Sequence, residues 1–163
     1  MRAFLVPMLG VAAACDGGGS VWSSSVTQLV LHSSGGFVAP YQPTADCPIN
    51  GVEYTLVVAG RSLSAWRCER GPTAPYPLVR TTASRGLAPA EYNALVPTLE
   101  ALRVISVDTC GADKPEVIVT VTERSRTIEY GDSFYSCNDD HRPTIDTNAL
   151  DAAAAAFRQL AFP

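Results

Sequence analysis

The sequence predicts an α+β fold, in which two helices pack on an antiparallel sheet of hairpins and disulfides stabilise the domain. Short segments of alternating apolar residues predict the hairpins, and two longer segments with helical spacing predict the helices. The third observation is that a cysteine lies before each predicted hairpin and another near its end. The length of 163 residues is that of one domain.

The composition argues against nucleic acid as a partner. The chain is 47% hydrophobic and carries a formal net charge of −4, which argues against the basic surface that nucleic-acid binding requires. After the N-terminal segment, no apolar stretch approaches the roughly 20 residues of a membrane-spanning helix. We therefore expect a folded domain without a nucleic-acid partner, in residues 26–163.

The first half of this domain contains most of the predicted strands. Residues 26–32 form a first strand, and residues 52–58 turn at Gly60 into a strand over 62–68. This hairpin places Tyr54 and Leu56 on one face with Leu63 and Ala65. A proline-rich loop over 71–77 follows, because prolines at this density cannot complete a sheet ladder. Residues 78–83 are expected to form one more strand.

The first helix is predicted over residues 89–103. Pro89 suits the first helical position and Glu91 suits the first turn by charge. Pro97 is expected to kink the helix or end it early. The apolar residues recur at helical spacing and form one stripe, which comprises Tyr92, Leu95, Val96, Leu99 and Leu102.

A second hairpin and a second helix complete the predicted elements. A reversal at Arg124-Ser125 opposes Val121 to Ile128 and Val119 to Tyr130. The last helix has Asp146 or Thr147 as its N-cap. The order hairpin, helix, hairpin, helix leaves open whether the domain consists of two hairpin–helix halves related as an internal repeat. The apolar stripe of the last helix comprises Leu150, Ala153, Ala154, Phe157, Leu160 and Ala161.

The N-terminal segment predicts export. Residues 1–14 combine an early cation, Arg2, with a short apolar run that ends in three alanines, which is typical of a signal peptide. The junction Ala-Ala-Ala-Cys at Cys15 resembles the lipobox of bacterial lipoproteins, in which the cysteine becomes the lipidated first residue. The resemblance implies a lipid anchor at Cys15, a tether over residues 15–25 and a location in the bacterial cell envelope. The alternative is ordinary cleavage after Ala14, which leaves Cys15 as a free thiol.

The remaining four cysteines predict two disulfides. Three pairings are possible, and their order along the chain favours Cys47–Cys68 and Cys110–Cys137 without selecting them. Zinc is not expected, since the chain has no CxxC motif and contains only two histidines. No phosphate-binding or dinucleotide-binding glycine motif occurs, so no cofactor is expected.

One short motif suggests catalysis. Gly131-Asp132-Ser133 resembles the start of GDSL-type hydrolases, and the resemblance implies Ser133 as the nucleophile. The only histidine after it is His141, which lacks the Asp-x-x-His spacing of that family. A nucleophilic serine needs a base within hydrogen-bonding reach. We therefore keep a hydrolase as an alternative and expect a non-catalytic domain.

The end of the first predicted strand suggests a binding function. A strand followed by Gly35-Gly36-Phe37 is similar to the opening of emfourin-like proteins, small bacterial inhibitors of thermolysin-like metallopeptidases. The resemblance implies that Gly35, Gly36 and Phe37 contact a protein partner. Alternatively, the glycines form a tight turn and Phe37 packs in the core. The expected function is thus a protein-binding envelope lipoprotein, with a metallopeptidase inhibitor as the alternative.

Overall fold

A computed structural model describes residues 18–35, 45–73, 77–106, 111, 114–135 and 142–163. These residues form an eight-stranded, mostly antiparallel sheet and two α-helices, which confirms the α+β class. The elements in chain order are β1 (Val26–Gly35), β2 (Val52–Val57), β3 (Ser62–Arg70), β4 (Leu78–Gly86), α1 (Pro89–Glu100), β5 (Val104–Ile105), β6 (Pro115–Glu123), β7 (Arg126–Asp132), β8 (Thr144–Ile145) and α2 (Thr147–Ala161).

The first strand is an inner strand that joins the two halves of the sheet. The order is β4-β3-β2-β1-β6-β7-β8-β5, so β1 is bonded to β2 on one side and to β6 on the other. Strands β1 to β4 form an antiparallel meander, whereas β8 lies parallel to β7 and antiparallel to β5. The two halves therefore differ in how their strands pair. The two-residue strands β5 and β8 are too short to produce a periodic signal, and the sequence did not predict them.

The predicted register of the second hairpin and the predicted apolar face of the first hairpin are confirmed. Val121 lies opposite Ile128 and Val119 opposite Tyr130. In the first hairpin, Leu56 lies opposite Leu63. Because side chains alternate between the faces of a strand, these pairings place the large apolar groups on one face.

This apolar face packs against the helices. The Tyr54 ring stacks on Phe157 of α2, with centroids 5.6 Å apart and planes 14° from parallel. Leu99 of α1 is fully buried in the same core. The helices therefore cover one face of the sheet. Neither helix in the described part of the chain has the length and apolar character that crossing a membrane requires.

Helix α1 ends at Glu100, three residues before the predicted end at residue 103. Its first turn is fixed by Glu91, whose carboxylate accepts a hydrogen bond from the Ala88 N–H at 2.8 Å and pairs with Arg85 at 2.7 Å. The Ala88 N–H and then Arg85 lower the pKa of Glu91 below its ordinary value of 4.5. Pro97 lies inside the last turn and lacks an N–H, and the helix ends at Glu100. Val104 continues into β5 instead.

Helix α2 begins where the sequence predicts. Asp146 is the N-cap, and its side chain accepts hydrogen bonds from the N–H groups of Asn148 and Ala149 at 2.9 and 3.1 Å. The buried residues of the predicted stripe face the core, and they comprise Leu150, Ala153, Phe157 and Ala161.

The predicted tether over residues 15–25 requires a correction. Ser20 forms a bridge with Arg103, and the Val21 N–H donates to the Leu102 carbonyl at 2.9 Å. Val21 is 5% exposed and Trp22 packs against the core. These apolar side chains bury their surface against the domain, although the glycines before them are typical of a linker. The folded domain therefore already includes Ser20, six positions before Val26, and Cys15 lies outside the described residues.

Candidate functional site

The disulfide predicted in the first half of the chain is confirmed. Cys47 and Cys68 are bonded, with their Cα atoms 5.8 Å apart, and Cys47 is 6% exposed. The Cys68 N–H donates to the Gly51 carbonyl at 2.8 Å. The disulfide therefore fixes the segment before β2 against β3. The other two cysteines of the prediction, Cys110 and Cys137, lie outside the described residues.

A cavity of about 420 Å³ lies beside this disulfide. It is formed at the end of β1, β2 and β3, on the face that α2 covers. The strand residues alternate toward this face, as Ser33 lies opposite Val52 and Val52 opposite Arg67. The lining comprises Ser33, Asn50, Gly51, Val52, Tyr54, Arg67, Cys68, Glu69, Pro115 and Arg158. We call this the Arg67 cavity.

Two buried donors in the lining lack hydrogen-bond partners among the described residues. These are the Tyr54 hydroxyl and the Arg67 Nε, each less than 1 Å² exposed. Tyr54 as a whole is 1% exposed. Burying a polar group without a partner costs about 1–3 kcal/mol, so two such groups at one cavity are unusual.

Positively charged side chains outnumber negatively charged ones around the cavity. Arg67 Nη2 pairs with Glu69 Oε1 at 2.7 Å, and the guanidinium lies 4.2 Å from the centre of the Phe162 ring. The second oxygen of Glu69 accepts from Thr81 at 2.8 Å. Among the described residues, no carboxylate lies within salt-bridge distance of Arg158. The lining thus carries two cations and one anion.

Gly35, part of the predicted partner-binding segment, lies near this cavity. Its φ of 86° lies in the left-handed region that favours glycine. Its carbonyl accepts a hydrogen bond from Asn50 Nδ2 at 3.2 Å, and Asn50 lines the cavity. Gly36 and Phe37 lie outside the described residues, so the structure places only the first residue of the segment.

The hydrolase-like motif lies in a buried hydrogen-bond network. Ser133 is 6% exposed, and its Oγ lies 3.1 Å from Thr147 Oγ1 and accepts from the Thr147 N–H at 3.2 Å. The buried Asp132 pairs with Lys114 at 3.2 Å and accepts from the Phe134 N–H and from the Thr147 hydroxyl. These contacts attach the end of β7 to the first turn of α2. His141, the only histidine after Ser133, lies outside the described residues.

The face of the sheet opposite the helices carries a second group of polar and aromatic side chains. The Arg80 guanidinium lies 4.4 Å from the centre of the Trp66 ring, and His32 Nδ1 lies 3.5 Å from Glu53 Oε2. A shallow groove of about 290 Å³ follows Trp66 and Arg80 along this face. We call this surface the Trp66 face.

Only one residue of the Arg67 cavity has a recognisable signal in the sequence. Arg67 follows Leu63 and Ala65 at alternate positions of β3, so the alternation of side chains places this cation on the apolar face of the strand. Tyr54 and Arg158 gave no such signal, because one resembles an ordinary core residue and the other an ordinary surface residue. Among the described residues, no three His, Cys, Asp or Glu side chains come close enough together to hold a metal ion.

Comparison with known proteins leaves the chain without a family assignment: no family model matches it, and no significant match to a curated protein is found.

Proposed function

We propose that this chain is an exported, lipid-anchored, non-catalytic domain that binds a protein in the bacterial cell envelope. The Cys47–Cys68 disulfide carries the proposal, because disulfides form and persist in oxidising compartments. The signal-like residues 1–14 and the lipobox-like junction at Cys15 agree with that compartment. Ser133 supports a non-catalytic domain, because its hydroxyl is bonded to Thr147 within the fold.

The start of the folded part limits how far the domain can lie from a membrane. Five peptide steps separate Cys15 from Ser20, and an extended chain spans at most about 3.3–3.6 Å per residue. The reach is therefore at most about 18 Å, which replaces the longer tether expected from composition. A lipid on Cys15 brings the edge around Ser20 and Arg103 close to the bilayer surface.

The Trp66 face is the proposed protein-binding surface. Tryptophan and arginine are enriched at the centres of protein interfaces, because each combines a large apolar area with polar contacts. Trp66 of β3 and Arg80 of the edge strand β4 meet on a face that neither helix covers. Cross-linking from this face in living cells identifies the partner, with Trp66→Ala as the variant expected to lose the cross-link.

Lipidation is tested by processing of the full chain in a bacterial host. We expect globomycin to cause accumulation of the precursor and mass spectrometry to find a diacylglyceryl group on Cys15. The matched control is Cys15→Ser, which is expected to abolish both effects. An unmodified Cys15 at the mature N-terminus contradicts the anchor, whereas a precursor that is never processed contradicts export.

A second candidate, inhibition of a thermolysin-like metallopeptidase, rests on Gly35. Its φ of 86° lies in the left-handed region, and no atom lies within 4 Å of a Cβ built on it. Gly35→Ala therefore strains the backbone without causing a clash, and we expect it to weaken inhibition of thermolysin by the full chain. Gly86→Ala is the control, since its Cβ also meets no atom within 4 Å. Unchanged thermolysin activity with excess unsubstituted protein excludes this candidate.

A further inference from the structure

We propose that the Arg67 cavity binds a monocarboxylate that carries a small apolar body. This inference goes beyond the proposed envelope function and does not depend on the lipid anchor or on a protein partner. It rests on three properties of the lining: unpartnered buried donors, a net positive charge and apolar walls.

The donors indicate an acceptor ligand. The Arg67 Nε can only donate, and the Tyr54 hydroxyl donates readily to a carboxylate. Glu69 bonds Arg67 through Nη2 and not through Nε, and its other oxygen accepts from Thr81. Neither donor has a partner among the described residues, so a bound oxygen acceptor removes the cost of burying both.

The charges indicate a ligand with one negative charge. Arg67 and Arg158 face the cavity together with Glu69, which leaves an excess of one positive charge. A carboxylate neutralises this excess. A phosphate, at about −1.5 to −2, adds repulsion from Glu69. The charged hydrogen bonds from guanidinium groups to a carboxylate are also among the stronger ones in proteins.

The size and walls of the cavity indicate the rest of the ligand. A volume of about 420 Å³ is at the lower end of the range for small-molecule sites. Val52, Pro115 and the disulfide at Cys68 provide apolar surface beside the polar groups. A branched aliphatic or amino-acid-sized body fits this surface, either as a free acid or as the C-terminal residue of a peptide.

Entry of the ligand requires side chains at the cavity to move. The two donors are at most 1 Å² exposed, whereas the Arg67 side chain as a whole is 34% exposed and Arg158 is exposed. Both arginines have long, flexible side chains. We therefore expect binding to move the Arg67 head group and to shift its Nε–H resonance.

The experiment is a titration of the full chain, purified with its disulfides intact, by calorimetry and by ¹⁵N NMR of the arginine Nε–H groups. The probes are isovalerate as a free acid, a short peptide ending in valine and its C-terminal amide, and inorganic phosphate. We expect saturable binding of isovalerate or of the peptide acid, at least tenfold weaker binding of the amide and of phosphate, and a shift of the Arg67 Nε–H resonance. Binding of the peptide acid alone identifies a chain end as the source, and binding of isovalerate identifies a free acid.

Two variants and a matched control complete the test. Tyr54→Phe and Arg158→Gln are each expected to weaken binding at least tenfold. Arg126→Gln makes the same charge change at an exposed residue near the start of β1, away from the cavity at its end, and is expected to leave binding unchanged. Tyr54→Phe is also expected to leave thermal stability equal or higher, because it removes an unpartnered hydroxyl.

The proposal is overturned by any of three binding results or by one stability result. The binding results are no saturable binding at millimolar concentrations, phosphate binding at least as tight as carboxylate binding, or equal binding by Tyr54→Phe, Arg158→Gln and the unsubstituted chain. A marked loss of stability in ligand-free Tyr54→Phe also overturns it, because the hydroxyl is then already hydrogen-bonded within the protein.

Discussion

Removal of the Cys47–Cys68 disulfide is expected to lower the free energy of unfolding by about 3 kcal/mol. The two cysteines are 21 positions apart, and closing a loop of that length in the unfolded chain gives about 3.3 kcal/mol at 25 °C by the loop-entropy relation. For a domain of this size, the loss corresponds to a decrease in Tm of roughly 7–13 °C. The change is the double substitution Cys47→Ala and Cys68→Ala, because a serine at the buried position 47 would need a hydrogen-bond partner.

The assay is equilibrium unfolding in guanidinium chloride, followed by tryptophan fluorescence and by circular dichroism. We expect the midpoint to fall and the denaturant slope to rise slightly, since the unfolded chain without this crosslink exposes more surface. The control is the pair of single substitutions, each of which breaks the same bond and should cost about as much as the double substitution. A loss below about 1 kcal/mol in the double variant refutes the loop-entropy reasoning for this disulfide.

Three further predictions concern the core, the buried ion pair and the first helix. Phe157→Ala removes the ring stacked on Tyr54 and should cost about 3–5 kcal/mol in urea unfolding, and a cost below 1 kcal/mol contradicts the stacking. Asp132→Ala removes a fully buried carboxylate that pairs with Lys114, and it should cost about 3 kcal/mol. Asp151→Ala, whose 58% exposed side chain pairs with the same Lys114, should change stability by less than about 0.5 kcal/mol, and equal costs of the two substitutions contradict this difference. Because the folded-state pKa of Glu91 is lowered, the contribution of Glu91 to stability is present above about pH 4.5 and is lost as the pH falls through the folded-state pKa. Glu91→Gln should therefore be less stable than the unsubstituted chain at pH 7 and similar to it near pH 2. A stability difference that does not depend on pH contradicts the assignment.

The parts of the fold that periodic patterns encode were predictable from the sequence. A reversal at Arg124-Ser125 predicted the register of the second hairpin, and a capping residue at Asp146 or Thr147 before an apolar stripe predicted the start of α2. The position of β1 between β2 and β6 was not predictable, because a strand pattern shows which face is buried and does not show which strands lie beside it.

The candidate site was predictable only in part. The order of the cysteines along the chain favoured the pairing of Cys47 with Cys68 without selecting it among the three possible pairings. The Arg67 cavity did not follow, since it depends on Arg158 from the last helix meeting the ends of three strands that are far from it in sequence. The burial of Val21 was not predictable from the sequence for a similar reason, because its contact with Leu102 joins residues about eighty positions apart.

The inner position of β1 also has a consequence for the folding pathway. Leu31 pairs with Val119, 88 positions later in the chain, so the hydrogen bonds that join the two halves of the sheet are among its least local contacts. Closing a loop of that length costs entropy before any pairing energy is gained, and high contact order slows folding. The meander β1–β4 can therefore assemble first, with one edge of β1 open until β6 arrives. Until then, that edge can mispair with a second molecule during folding.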